Sequence, residues 1–181
     1  MIRILRAADR IAVPWKNGGG ITREVAIWPE GSGFDNFDWR ISIAEVREPG
    51  PFSVFENIDR VLTILEGCMA LAFADRAVEL DIRSAPFAFP GDVSCSGTPI
   101  KGAVTDLNVM TRRGRCAAMV SRITGEMMLP AARHLIVVAL SDCDVRVGTE
   151  SLTLRARDAI LIENSTGQMS VGVSALMIAL N

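Results

Sequence analysis

The chain has 181 residues, a formal net charge of −2, and 49% hydrophobic against 22% charged residues. That balance suits a globular chain with a sizeable core and excludes the concentrated basic surface that nucleic-acid backbones require. No apolar run reaches the ~20 residues of a membrane-spanning helix, and the charged start Met1-Ile2-Arg3-Ile4-Leu5-Arg6 lacks the apolar stretch of a signal peptide. A cytoplasmic protein is expected, with neither a nucleic-acid nor a membrane partner. Cys68, Cys95, Cys116 and Cys143 are scattered without a C-x-x-C pair, so they are expected to be reduced and buried.

The predicted elements are strands. Trp39–Ala44 precedes the turn cluster Pro49-Gly50-Pro51, and Val61–Leu65 runs into Glu66-Gly67. Val78, Leu80 and Ile82 then alternate with Glu79, Asp81 and Arg83, the period-two pattern of a half-buried strand. Pro90-Gly91-Asp92 marks a turn before Ala103–Met110. The stretch Ala117–Ala132 reads as a turn or crossover. Leu135–Leu140 and Leu176–Leu180 read as strands buried on both faces. Between them Leu152, Leu154 and Ala156 alternate with Thr153, Arg155 and Arg157, bounded by Gly148-Thr149 and Asn164-Ser165-Thr166-Gly167.

A shift of 74 positions lays Val61–Leu65 on Leu135–Ala139, Val78/Leu80/Ile82 on Leu152/Leu154/Ala156, and Phe87-Ala88-Phe89 on Leu161-Ile162-Glu163. Such self-similarity predicts an all-β chain of two barrels or jelly rolls. The first spans residues 1–116 and the second, mainly structural, spans 117–181. Strand positions carrying hydrogen-bonding groups concentrate in the first half: Arg40 and Ser42, then Asp106 and Asn108. A ligand site is therefore expected in the first barrel. Arg112, Arg113 and Arg115 read as a solvated rim.

Pro14-Trp15-Lys16-Asn17-Gly18-Gly19-Gly20-Ile21-Thr22-Arg23-Glu24 resembles the HutD/Ves family. Phe37-Asp38-Trp39-Arg40-Ile41-Ser42-Ile43-Ala44 looks like the family's DWR-x-S-x-A strand, and Gly50-Pro51-Phe52-Ser53-Val54-Phe55, Asp59-Arg60 and Leu65-Glu66-Gly67 like its next block. Phe87–Asp92 and Asp106–Gly114 complete a resemblance spanning Trp15 to about Gly114, and the tripled glycine places the chain nearer the HutD branch. The resemblance implies a bicupin fold and a regulatory role in bacterial histidine utilisation, through binding of a small pathway intermediate. The Ves branch implies a stress-response role instead.

A metal-binding cupin presents histidines and a glutamate that lies shortly before a closing glycine. Here that glycine would be Gly67, and Arg60 stands at the glutamate position; Ser53–Glu56 and Pro90–Ala103 hold no histidine. The lone His134, which the shift sets opposite Arg60, reads as structural. Neither a metal nor another cofactor is expected, since such sites need several converging ligands. A guanidinium at this position is a planar donor fork suited to a carboxylate.

Arg40 and Arg60 are the foremost candidates, with Lys16, Arg23 and Arg112 as additions. Glu24, Asp106 and Asn108 are acceptors for an amine, amidine or imidazole. Trp15 could form an apolar wall and Asn17 hydrogen-bond the ligand; alternatively Trp15–Gly20 is only a tight entry into the first strand. Urocanate and formiminoglutamate satisfy both sets. The competing reading has these arginines in structural ion pairs with Asp38, Asp59 or Asp106.

The expected function is thus a non-enzymatic regulator of histidine utilisation, a homodimer by analogy with cupins, that binds a small carboxylated metabolite. The alternatives are a metal-independent isomerase or hydrolase using Glu24 and Asp106, and a Ves-like stress-response protein acting through a protein partner.

Overall fold

The structure, a computed structural model, describes all 181 residues. Strands run in chain order as β1 (Ile2–Leu5), β2 (Ala12–Pro14), β3 (Gly20–Trp28), β4 (Trp39–Val46), β5 (Gly50–Pro51) and β6 (Ile58–Glu66). They continue as β7 (Cys68–Ala72), β8 (Ala77–Asp81), β9 (Phe87–Pro90), β10 (Ser96–Pro99), β11 (Val104–Arg112) and β12 (Ala118–Met128). The last are β13 (Ala132–Ala139), β14 (Cys143–Val147), β15 (Glu150–Leu154), β16 (Ala159–Ser165) and β17 (Gln168–Leu180). The helical content is a single 3-10 turn, Ala7–Asp9, and no helix is long and apolar enough to cross a membrane.

Two compact units result, Ile11–Cys116 and Ala117–Asn181 with Met1–Arg10. The first ten residues, expected in the N-terminal barrel, therefore belong with the C-terminal one. The apolar Ile2 and Ile4 pack on its core as β1 extends the sheet beyond β16, Ile2 opposite Ile162 and Ile4 opposite Ile160.

In the Ile11–Cys116 unit a six-stranded sheet, β2-β3-β4-β11-β6-β9, faces a four-stranded sheet, β5-β10-β7-β8. Alternation sends Leu62 and Ile64 of β6 inward to meet Met69 and Leu71 of β7 and Leu80 of β8, while Glu79 stays exposed. Gly67 joins β6 to β7 at φ +83°, where a side chain would be strained and its Cβ would lie 2.9 Å from the Ala103 carbonyl oxygen. Ile82, expected within the alternating strand, is exposed instead. Asp81 ends β8 by accepting the backbone N–H groups of Arg83 and Ser84 at 2.9 and 3.0 Å.

The other unit orders its strands β1-β16-β13-β17-β14-β15, with β12 also on β17. Thirteen-residue β17 serves three partners: β12 along most of its length, β14 at Met169–Val171, and β13 at Ala175–Leu180. The expected crossover at Ala117–Ala132 is mostly the eleven-residue β12, bulged between Ile123 and Gly125. An edge strand with intermediate exposure on both faces carries no clean alternation, which hid it.

The 74-position shift holds on one hairpin and slips on the neighbouring strands. Met69, Leu71 and Leu80 match Cys143, Val145 and Leu154, all core residues. On β13, however, the core face carries Leu135, Val137 and Ala139, whereas the shift from Leu62 and Ile64 lands on Ile136 and Val138. A one-residue slip reverses every side chain. His134 thus lies on the face of β13 opposite to that core, while Arg60 shares the core face of β6 with Leu62. The two are not counterparts.

The four cysteines are free thiols; Cys95 and Cys143 are buried, Cys68 and Cys116 half-buried.

Candidate functional site

The inner face of the six-stranded sheet carries its polar groups in cross-strand rows. One row reads Ile27, Arg40, Met110, Arg60, Phe89; the next reads Glu24, Ser42, Asn108, Leu62, Phe87; a third holds Thr22, Ala44, Asp106, Ile64. Arg40 and Arg60 are 8% and 5% exposed, and their backbones stand two strands, roughly 10 Å, apart. A barrel interior with two guanidiniums is costly unless they are hydrogen-bonded and stacked. Both are.

Arg40 donates from Nε to Glu24 Oε2 at 2.8 Å and from Nη1 to Ser42 Oγ at 3.4 Å. Arg60 donates from Nε to Asn108 Oδ1 and from Nη1 to the Ser53 carbonyl oxygen, each at 3.3 Å. Nη2 of each guanidinium makes no hydrogen bond to the protein. The Arg60 guanidinium carbon lies 4.9 Å from the Phe52 ring centre and 5.3 Å from that of Phe89. Phe34 covers Arg40 at 4.8 Å and stacks on Phe55 at 5.7 Å. Burial lowers the Arg60 pKa, opposed by Asp106 and Cys95, with Arg40 adding to the lowering. Burial also pushes the fully enclosed Asp106 up to about 7 against the pull of Arg60. Glu24, its side chain 43% exposed, forms the wet edge of the cluster.

The expected ion pairs of these arginines with Asp38 and Asp59 are not formed. Asp59 and Asp92 accept from Arg113, and Asp38 accepts from Arg115. The remaining candidates lie elsewhere in the unit. Arg23 faces Ile43, on the opposite side of β3 from Glu24 and Thr22. Arg112 donates to the carbonyl oxygens of Phe37 and Asp35 at 2.8 and 3.1 Å, tying down the loop that carries Phe34. Lys16 and Asn17 sit exposed on the β2–β3 hairpin, where Asn17 Oδ1 accepts the Gly19 N–H at 3.0 Å.

Trp15 packs on the barrel core and donates from Nε1 to Thr22 Oγ1 at 2.8 Å. The tripled glycine has a local cause: Gly18 adopts φ +74°, and a Cβ on Gly20 would lie 2.6 Å from the Glu45 carbonyl oxygen and 3.0 Å from the Trp15 ring. Sequence reasoning missed the aromatic frame of Phe34, Phe52, Phe55 and Phe89; an isolated aromatic among loop residues, as at Phe34, was its one visible signal.

A family model for HutD matches residues 7–178. The chain belongs to the HutD family. It is 32% identical, over 91% of its length and 88% of the relative's, to the "21.2 kDa protein in hutC 3′ region" of Pseudomonas putida. It is 41% identical to Protein Ves of Citrobacter koseri over 59% of this chain and 56% of that one. HutD from Pseudomonas fluorescens SBW25, solved in a formate condition, superposes with a TM-score of 0.88 at 32% identity, covering 100% and 98% of the two chains. A cupin 2 conserved barrel domain protein from Leptotrichia buccalis, at 8% identity, shares the fold with a TM-score of 0.61 over 93% and 92% of the chains. The HutD-family chain is therefore cupin-like.

Metal-binding cupins prompt a test of fit, and the residues fail it. Guanidiniums offer no lone pair to a metal, Arg60 lies on the inner face where a ligand would be needed, and no three His, Cys, Asp or Glu side chains converge. His134 is buried across from Glu163 on β16, and burial, followed by Arg133, lowers its pKa. The core of the HutD-family chain's other unit is built of apolar residues, among them Leu135, Val137, Ile160, Ile162, Met177 and Ala179.

Proposed function

We propose that this HutD-family protein is a cytoplasmic, non-enzymatic regulator of histidine utilisation that binds a small carboxylated metabolite, of the urocanate or formiminoglutamate class, inside the Ile11–Cys116 barrel. One observation carries the reading: two arginines on one inner row, each held by two of its nitrogens and backed by aromatic rings, each keep Nη2 for a ligand. Guanidiniums oriented in advance bind a carboxylate without the entropic cost of ordering them. Glu24, partly exposed beside Arg40, supplies an acceptor for a nitrogen at the ligand's far end. The relative in the hutC 3′ region supports the link to histidine utilisation.

The test is a thermal-shift screen with histidine, urocanate, formiminoglutamate, formylglutamate and glutamate. A ligand at about 100 times its Kd adds roughly 2.7 kcal/mol of stability. The responding compound should be returned unchanged. No response to any of the five at millimolar concentration removes the reading, and turnover abolished by Glu24→Gln replaces it with an enzyme.

A further inference from the structure

Asp106 differs from every other group in the cluster. It is 1% exposed, lies opposite Ala44 on one side and Ile64 on the other, and its Oδ2 is buried without a hydrogen-bond partner. Arg60 is close enough to act on it through charge, yet the bonds of Arg60 go to Asn108 and Ser53. The titratable groups near it are few. Six-stranded-sheet neighbours bring Arg40 from β4, Arg60 from β6 and Glu24 from β3, the last engaged by Arg40, and Cys95 precedes β10. The four-stranded sheet contributes apolar Met69, Leu71 and Leu80.

An ionised carboxylate in such a place is compensated only by a cation that it does not touch. We propose that Asp106, two rows along the inner face from the arginine pair, is a proton-holding acid, and that a carboxylate binding at Arg60 draws one proton from solvent onto it. The proposal rests on the anion-binding reading of the Arg40–Arg60 cluster. It gives Asp106 the opposite polarity to the acceptor role expected from its residue type.

The step balances simply. The bound anion takes up the field of Arg60 and adds its own negative charge, so ionised Asp106 becomes harder to sustain. A proton from bulk water then bonds to Oδ2 and leaves Asp106 neutral. The apo value of about 7 leaves this group near half-ionised at neutral pH, where a modest field tips it. Above that value binding must bring a proton, so affinity falls about tenfold per pH unit.

Calorimetry with formate and with urocanate as probes, at pH 8 in triethanolamine and in Tris, cationic buffers that do not compete for the arginines, counts the protons. Wild type should take up close to one, and Asp106→Asn none. Asp106→Asn, a permanently neutral side chain, should lose the pH dependence, whatever affinity it retains staying flat from pH 6 to 8.5. Independently of any ligand, ¹³C-carboxyl NMR of aspartate-labelled protein should show one resonance titrating near pH 7, absent in Asp106→Asn. Zero uptake with a probe bound, or every carboxyl titrating in the ordinary range, overturns the proposal; the wild-type counts need no variant to fold. If neither probe binds, the anion reading and the ligand-driven step fall together, while the NMR titration still decides whether Asp106 is a buried acid.

Discussion

Arg40 and Arg60 are register partners of the same residue, Met110, one from each side. This places two cations on a single inner row with only a thioether side chain between them. The aromatic rings and acceptors around them make the arrangement tolerable without neutralising both. Arg40 has a carboxylate, Glu24, whereas Arg60 has only neutral acceptors within hydrogen-bond distance. Under the proposed carboxylate binding, Arg60 is thus the stronger candidate of the two.

Arg60→Ala should lower affinity for a carboxylate ligand by about 1.5–3 kcal/mol, the range for a charge-assisted hydrogen bond, or roughly 10- to 150-fold. Arg60→Lys should recover only part of the loss, because an ammonium cannot reproduce the two-pronged geometry. Titration calorimetry on both variants measures the difference. Equal affinity in wild type and Arg60→Ala would remove this residue from the site.

Stability should depend on pH through Asp106. Its folded value of about 7 lies above the ordinary 3.8, so the folded chain holds the proton more tightly than the unfolded one. The stabilising contribution is complete below about pH 4 and drains away as pH climbs to about 7, at up to about 1.4 kcal/mol per unit. His134, lowered by burial, acts in the opposite sense on the acid side, but is common to both proteins. The difference between wild-type and Asp106→Asn urea midpoints across pH 4–8 therefore isolates Asp106, and a flat difference would contradict its raised value.

Phe34 is 57% exposed yet lies over Arg40. Phe34→Ala should therefore change the unfolding free energy by no more than about 0.5 kcal/mol, as for most surface substitutions. Ligand affinity should fall as well, because Arg40 loses the ring that holds its guanidinium in place before binding. Thermal melts with and without ligand separate the two effects.

Gly20→Ala should destabilise the protein by about 1–3 kcal/mol, the cost of forcing atoms into a filled space, because the new methyl would meet the Glu45 carbonyl oxygen and the Trp15 ring. Gly18→Ala meets nothing within 4 Å and is penalised only through its φ of +74°, about 1–2 kcal/mol. Denaturant titrations distinguish collision from backbone strain: Gly18→Asn should recover part of the loss, Gly20→Asn none.

Much of the fold was legible because a period-two pattern needs only neighbouring residues. Val78 and Leu80 between charges, Leu135–Leu140 as an apolar run, and turns at Glu66-Gly67 and Gly148-Thr149 all report local backbone geometry. Arg40, Arg60, Asp106 and Asn108 could be named because hydrogen-bonding side chains inside such strands stand out against apolar neighbours. Cross-strand register left no such mark. The apparent match of His134 to Arg60 failed by one residue, and alternation makes one residue a change of face.

The sequence by itself determined that this chain is built of strands, which of its residues are polar inside them, and that it carries the motifs of the HutD family. Tertiary structure decided that Met1–Arg10 completes the C-terminal unit, that Arg40 and Arg60 flank one residue, and that Phe34 and Phe52 reach them from loops. It also decided that Asp106 is sealed from water. Each of these depends on groups brought together across strands from distant parts of the chain, where burial and charge act through space and no local pattern records them.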